Sequence, residues 1–143
     1  MQTRQADGLA LAAQLEPLST TLIRTANLAA DDVPITTTQK LLLVVLVDSG
    51  PLRLGALAER VGITDPTTSR AVDGLVAADL VRREPDPDDR RAVLHFATGR
   101  AKKWLERRRA VVAAALDEAL SHLTEEERST FLELITKLNE ELR

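Results

Sequence analysis

The chain has 143 residues, long enough for one ordinary domain, and carries 19 Lys/Arg against 22 Asp/Glu, a net charge of −3. It contains no cysteine, which excludes a disulfide framework, a thiolate metal site and cysteine-based redox sensing. The longest apolar run, LLLVVLV at 41–47, is far short of a bilayer span, and no export signal opens the chain, so a cytoplasmic location without a membrane partner is expected.

From Leu11 to Ala29 the apolar residues Leu11, Leu15, Leu18, Leu22, Ala26 and Ala29 recur at helical spacing. Pro17 lacks a backbone donor, so this helix either kinks there or begins near Glu16. ADDVP, from Ala30, reads as a loop. A second helix is expected from Thr36 or Thr37 to Val47, although its Val-rich apolar run also suits a buried strand. Asp48, Ser49, Gly50 and Pro51 end it.

LGALAERVGITDPTTSRAVDGLVAADL, residues 54–80, holds two short helical patterns separated by a glycine. Leu54, Leu57, Ala58 and Val61 mark the inner face of the first; Gly62 permits a tight turn and Ile63 plugs the corner. Asp65 is expected to cap the second helix, with Pro66 at its first position. Thr68, Val72, Leu75 and Val76 then share one face, leaving Thr67, Arg70 and Gly74 opposite. A helix-turn-helix inserts the N-terminal part of such a helix into the major groove. There the arginine fork matches guanine O6 and N7, and hydroxyls reach phosphates or bases. The candidate contacts are Pro66, Thr67, Thr68, Ser69, Arg70 and Asp73. A solvated αα-hairpin is the plainer alternative.

LVRRE, PDPDD and RRAVLHFAT then read as strand, polar turn and strand. Period-two geometry sends Val93 and His95 one way and Leu94 and Phe96 the other. Charge is concentrated here: residues 1–81 carry −3, residues 82–109 carry +5 and residues 110–143 carry −5. A polyanion responds to that local excess, because exposed charges farther away than about 8 Å are largely screened. A hairpin beside a recognition helix can reach the neighbouring minor groove, whose negative potential favours arginine. Arg90 and Arg91 stand at such a tip, and Asp89 is the candidate to orient an arginine through a bidentate pair. A surface turn with weak ion pairs is the bland reading.

A long helix from Thr98 or Gly99 to about His122 carries Trp104, Val111, Val112, Ala115, Leu116, Ala119 and Leu120 as an apolar stripe. Trp104 is expected to pack at its start, and His122 to face its last carbonyls. Thr124 and Glu127 have capping-box spacing. In the last helix Phe131, Ile135, Leu138 and Leu142 form a seam suited to another helix.

The helix-turn-helix and hairpin together resemble the MarR family of winged-helix transcription factors. The match rests on Thr67, Ser69, Arg70, Leu75, Leu80, Val81, Arg83, Asp89 and Arg91, and extends to Gln39 and the two C-terminal helices. The resemblance implies a mainly α fold with a small β-hairpin wing, in a single domain 1–143. Within it, 36–98 would be the winged helix-turn-helix lobe, and 8–30 and 99–143 the dimerisation helices. Leu15, Leu18, Leu22, Phe131, Ile135, Leu138 and Leu142 would form the homodimer contact. It also implies that Asp89 holds Arg91, and that Arg90 lies beside it on phosphates or groove. Asp79 stands where many relatives carry glycine, so irregular or left-handed backbone is expected there.

The implied function is sequence-specific binding of double-stranded DNA at a pseudo-palindromic operator by a homodimeric, ligand-responsive repressor. Small aromatic or phenolic molecules are the implied ligand class, although the chain has no Tyr, two Phe and one Trp to line a pocket. Catalysis is not expected: His95 and His122 lack partners at metal-ligand spacing, and no phosphate loop or nucleophile elbow occurs. No cofactor is expected. A winged-helix module that binds protein, and an architectural DNA-binding protein without operator preference, are the alternatives.

Overall fold

In the computed structural model, residues 2–28 and 33–142 are described, with side chains from residue 6 onward. The elements are α1 (Gln2–Leu28), α2 (Thr37–Ser49), β1 (Leu52–Arg53), α3 (Leu54–Val61), α4 (Asp65–Ala77), β2 (Val81–Pro85), β3 (Val93–Ala97), α5 (Gly99–Leu120) and α6 (Glu125–Glu141). They form two compact units, Asn27–Arg108 and Met1–Ala26 with Arg109–Arg143.

In the first unit, Leu42, Leu43 and Leu46 of α2 pack with Leu57, Val72, Leu75, Leu80, Val81, Trp104 and Leu105. Burial at intervals of three and four along LLLVVLV is why this segment is a helix and not the alternative strand. Its start is fixed by a capping box in which Thr36 Oγ1 accepts from the Gln39 N–H and Gln39 Oε1 accepts from the Thr36 N–H.

Two helix ends in this unit close in the same way. At the end of α3, the Gly62 N–H donates to Glu59 O and the Ile63 N–H to Ala58 O, with Gly62 at φ 74°. At the end of α4, the Asp79 N–H donates to Val76 O and the Leu80 N–H to Leu75 O, with Asp79 at φ 57°. Both are Schellman closures, which need a left-handed residue after the helix and bury a hydrophobic pair across the turn. Leu75 and Leu80 are that pair for α4. The left-handed backbone expected at Asp79 is therefore present.

The strands form a three-stranded antiparallel sheet in the order β1-β3-β2. β2 and β3 make the expected hairpin, with Arg82 opposite Phe96 and Arg83 opposite His95. β1 was not expected: two residues give no periodicity, yet Leu52 pairs with His95 and Arg53 with Leu94. Because β3 is the central strand, His95 is buried at 4% exposure while Val93, expected on the same side, is 43% exposed near the open end.

In the second unit α1 runs unbroken through Pro17, correcting the expected restart near Glu16. The helix tolerates the missing N–H at a largely exposed position, and the Ser19 and Thr20 hydroxyls both donate to Glu16 O, each at 2.9 Å. Ala29 and most of the ADDVP loop lie outside the described residues. Thr124 and Glu127 form the expected capping box at the start of α6. His122 does not use its ring on the carbonyls of α5: only its backbone N–H does so, donating to Ala119 O, because the helix ends at Leu120 and the chain turns.

Candidate nucleic-acid interface

α4 begins one residue earlier than Asp65 as a cap would place it. Thr64 is the N-cap, its hydroxyl accepting from the Thr67 N–H, and Asp65 is already helical. A β-branched hydroxyl serves this position well, and Pro66 still falls in the first turn, where its missing donor costs nothing. Pro66, Thr67, Arg70 and Asp73 are exposed and Ser69 is half-buried. Thr68 is a correction: it is fully buried, and its hydroxyl donates to Thr64 O at 3.0 Å, so it belongs to the core face and not to the contact surface. Gly74, expected on the exposed face, instead lies against the Gln39 side chain.

The wing turn explains its aspartates. Asp86 Oδ1 accepts from the Asp88 N–H at 2.9 Å, and Asp89 Oδ1 accepts from the Arg91 N–H at 3.1 Å. The Asp86 N–H donates to Ala92 O at 3.0 Å, closing the loop. These carboxylates shape the turn by satisfying peptide donors, as Asp does in tight turns. The expected bidentate pair between Asp89 and Arg91 is absent, because Asp89 uses its oxygen on the Arg91 backbone. The arginine held by the wing carboxylates is Arg53: its Nε donates to Asp86 Oδ2 at 2.7 Å, the adjacent Arg53 nitrogen lies at 2.6 Å from the same oxygen, and Asp89 Oδ2 lies at 3.9 Å from Arg53. The Asp88 N–H and then Arg53 hold the Asp86 carboxyl below the usual carboxylate range. Arg53 lies on the unexpected β1, so sequence spacing gave no signal for it.

The arginines of residues 36–98 fall into two groups. Arg53 pairs with Asp86, Arg83 with Asp73, and Arg82 with Glu84 while stacking over Phe96 at 4.4 Å. Arg60 donates to the Ser49 hydroxyl. The side chains of Arg70, Arg90 and Arg91 are exposed and make no ion pair among the described residues. The first group is structural; within residues 36–98 the second group offers guanidinium forks to a ligand.

His95 is internal to the wing. Its Nδ1–H donates to Leu52 O at 3.2 Å, and burial pushes the imidazole below its ordinary value, partly offset by that hydrogen bond.

Among the expected dimer residues, Leu15, Leu22, Ile135 and Leu138 are half-buried, whereas Leu18, Phe131 and Leu142 are exposed at 42%, 44% and 77%. No residue of α6 is fully buried. Among the described residues no helix is long and apolar enough to cross a membrane, and no group of three or more His, Asp or Glu is placed to hold a metal ion.

A helix-turn-helix whose second helix is followed by a hairpin with exposed arginines at its turn defines a winged helix-turn-helix. The chain belongs to the MarR family of DNA-binding transcriptional regulators: the family's sequence profile matches residues 33–92. The HTH-type transcriptional regulator YxaD of Bacillus subtilis is 31% identical over 99 residues, 69% of each chain. The chain spans 60% of the length of another relative, the HTH-type transcriptional regulator YcgE of Bacillus subtilis, to which it is 28% identical over 93 residues. Among solved structures, Rv1404 of Mycobacterium tuberculosis is 28% identical with a TM-score of 0.79, covering 94% of this chain and 89% of that one. The transcriptional regulator PcaV of Streptomyces coelicolor, solved with its natural ligand, is 25% identical with a TM-score of 0.60, covering 93% and 92%.

Proposed function

We propose that the chain is a sequence-specific, ligand-responsive repressor that acts in the cytoplasm as a homodimer on a pseudo-palindromic operator. Pro66, Thr67, Ser69 and Arg70 of α4 enter the major groove, and Arg90 and Arg91 of the wing turn meet phosphates or the adjacent minor groove. The carrying observation is that these three arginines alone among those of the wing and recognition helix have uncommitted side chains. Asp73 supports the surface indirectly, by holding Arg83.

Residues 8–30 and 99–143 serve dimerisation, with Leu15, Leu18, Leu22, Phe131, Ile135, Leu138 and Leu142 at the contact. The exposed apolar side chains Phe131, Leu132 and Leu134 of α6 and Leu142 at its C-cap support this reading, since a helix with no fully buried residue and so much apolar surface in water gains stability from a partner. Paired recognition helices then meet half-sites one helical turn apart. The ligand reading is supported by PcaV, and the effector class proposed is a small aromatic or phenolic molecule. Such a molecule releases the operator only by binding better to a conformation that fits DNA less well.

The test is selection of duplexes from a random library by the purified full chain, with sedimentation equilibrium of the protein and of its complex. Enrichment of an inverted repeat bound by two chains is expected. Salt-sensitive binding without enrichment would mark an architectural protein, and no binding a protein-interaction module; either overturns the proposal.

A further inference from the structure

One contact in the DNA-binding unit is unexplained by core packing. The Gln39 amide uses both ends: Oε1 accepts from the Thr36 N–H at 2.8 Å, and Nε2 donates to the Ala71 carbonyl of α4 at 3.2 Å. It sits so close to α4 that a Cβ on Gly74 would lie 2.3 Å from Nε2 and 3.6 Å from Cδ. Gly74 is inside a helix at ordinary negative φ, where glycine weakens the helix relative to alanine. Its backbone geometry does not call for glycine; the approach of Gln39 does.

The geometry points to Gln39 and Gly74 as a positioning pair that sets the rotation and register of the recognition helix against α2. Ala71 and Gly74 are three residues apart and share one flank of α4, and Thr67, two turns before Gly74, lies on that flank as well. Arg70, one turn before Gly74, is close to it in angle. A methyl at Gly74 displaces the Gln39 amide and with it the bond to the Ala71 carbonyl, releasing the flank of α4 that carries Thr67 and Arg70. Gln39 reaches α4 from the capping box that starts α2, so helix start and recognition helix are tied by a single amide. Asp73 and Arg83 tie α4 to β2, and Gln39 ties it to α2.

The inference rests on the proposed DNA reading, and its test separates the two. Wild-type full chain and the variants Gly74→Ala, Gln39→Ala, Gln39→Glu and Gln39→Ala/Gly74→Ala are titrated on the selected duplex and on a shuffled one, with thermal unfolding alongside. Gly74→Ala is expected to lower the ratio of selected to shuffled affinity about tenfold in the wild-type background, and by less than about twofold in the Gln39→Ala background. In that second background it should also raise the unfolding temperature, since the helix gains alanine without a clash. Gln39→Glu keeps the capping box, because glutamate serves the N3 position as well as glutamine, but turns an acceptor toward the Ala71 carbonyl. It should lose the ratio at neutral pH and regain part of it as the introduced carboxyl is protonated, a pH response absent from the wild type. Equal effects of Gly74→Ala in both backgrounds, or a Gln39→Glu protein with wild-type preference, would overturn the pairing. Failure of the wild type to prefer any duplex would instead overturn the DNA reading.

Discussion

Arg53 and Asp86 hold the base of the wing turn to the first strand of the sheet, with the guanidinium on a carboxylate whose side chain is only 7% exposed. Thirty-three residues separate the two in sequence. Arg53→Met is expected to loosen the turn that carries Arg90 and Arg91. Duplex affinity should fall roughly three- to tenfold with sequence preference retained, because a positioning contact is lost and no base contact is. Unchanged affinity in a fluorescence anisotropy titration would show that the turn's peptide hydrogen bonds suffice alone.

The exposed arginines should separate by role. Arg70→Ala is expected to cost about 1–3 kcal/mol on the selected duplex and much less on a shuffled one, as for loss of a base contact. Arg90→Ala and Arg91→Ala should weaken both duplexes alike, each reducing the salt slope by about 1. A uniform loss from Arg70→Ala would move that residue to the phosphate group.

Stability should fall on acidification, and the sign follows from burial. His95 is pushed below its ordinary value near 6.5, so as pH drops past that value the unfolded chain takes up a proton that the buried ring resists. The loss grows until the folded value is reached and then levels off. Asp86, also held below its ordinary 3.8, adds a second loss between that value and its lower folded one. Urea midpoints between pH 7.5 and 5 should therefore decline in the wild type and flatten in His95→Gln; a variant with the wild-type slope would assign the effect elsewhere.

Asp79 stands at φ 57° with its carbonyl accepting from the Thr98 hydroxyl at 2.9 Å. Asp79→Gly removes a left-handed penalty of about 1 kcal/mol while keeping that backbone bond, so it should stabilise by up to about that amount. Asp79→Ala should destabilise instead, since alanine lacks the polar side chain that eases this conformation. Chemical denaturation of the three proteins gives the order directly.

Much of this architecture is written locally. Gly62 before Ile63, Pro66 in a first turn, and the alternation around Phe96 each determine their own neighbourhood, so the helix-turn-helix and hairpin can be read from short windows. Asp79 is legible only through resemblance, because an aspartate does not by itself announce a left-handed turn. What escapes reading depends on pairs far apart. Arg53 looks like a loop cation until β1 brings it to Asp86, and Gly74 looks like an exposed helix residue until Gln39 arrives from α2. Thr68 differs: helical spacing already sets it on the face of Val72 and Leu75, and its hydroxyl, which also suits a DNA contact, bonds to Thr64 on that buried face. The acids of the wing turn mislead in a similar way, since Asp89 serves the Arg91 N–H and lies near Arg53, with no pairing to the Arg91 side chain.

The uneven placement of charge has a practical consequence at the bench. The first turn of α6 holds Glu125, Glu126 and Glu127, while the stretch from Arg82 to Arg109 carries the excess of cations. With a sequence pI near 5.4, the protein is expected to be retained at pH 7 by an anion exchanger through one end of its sequence. It should also be retained by a sulfated-polysaccharide resin through another, so that two matrices of opposite sign purify one molecule.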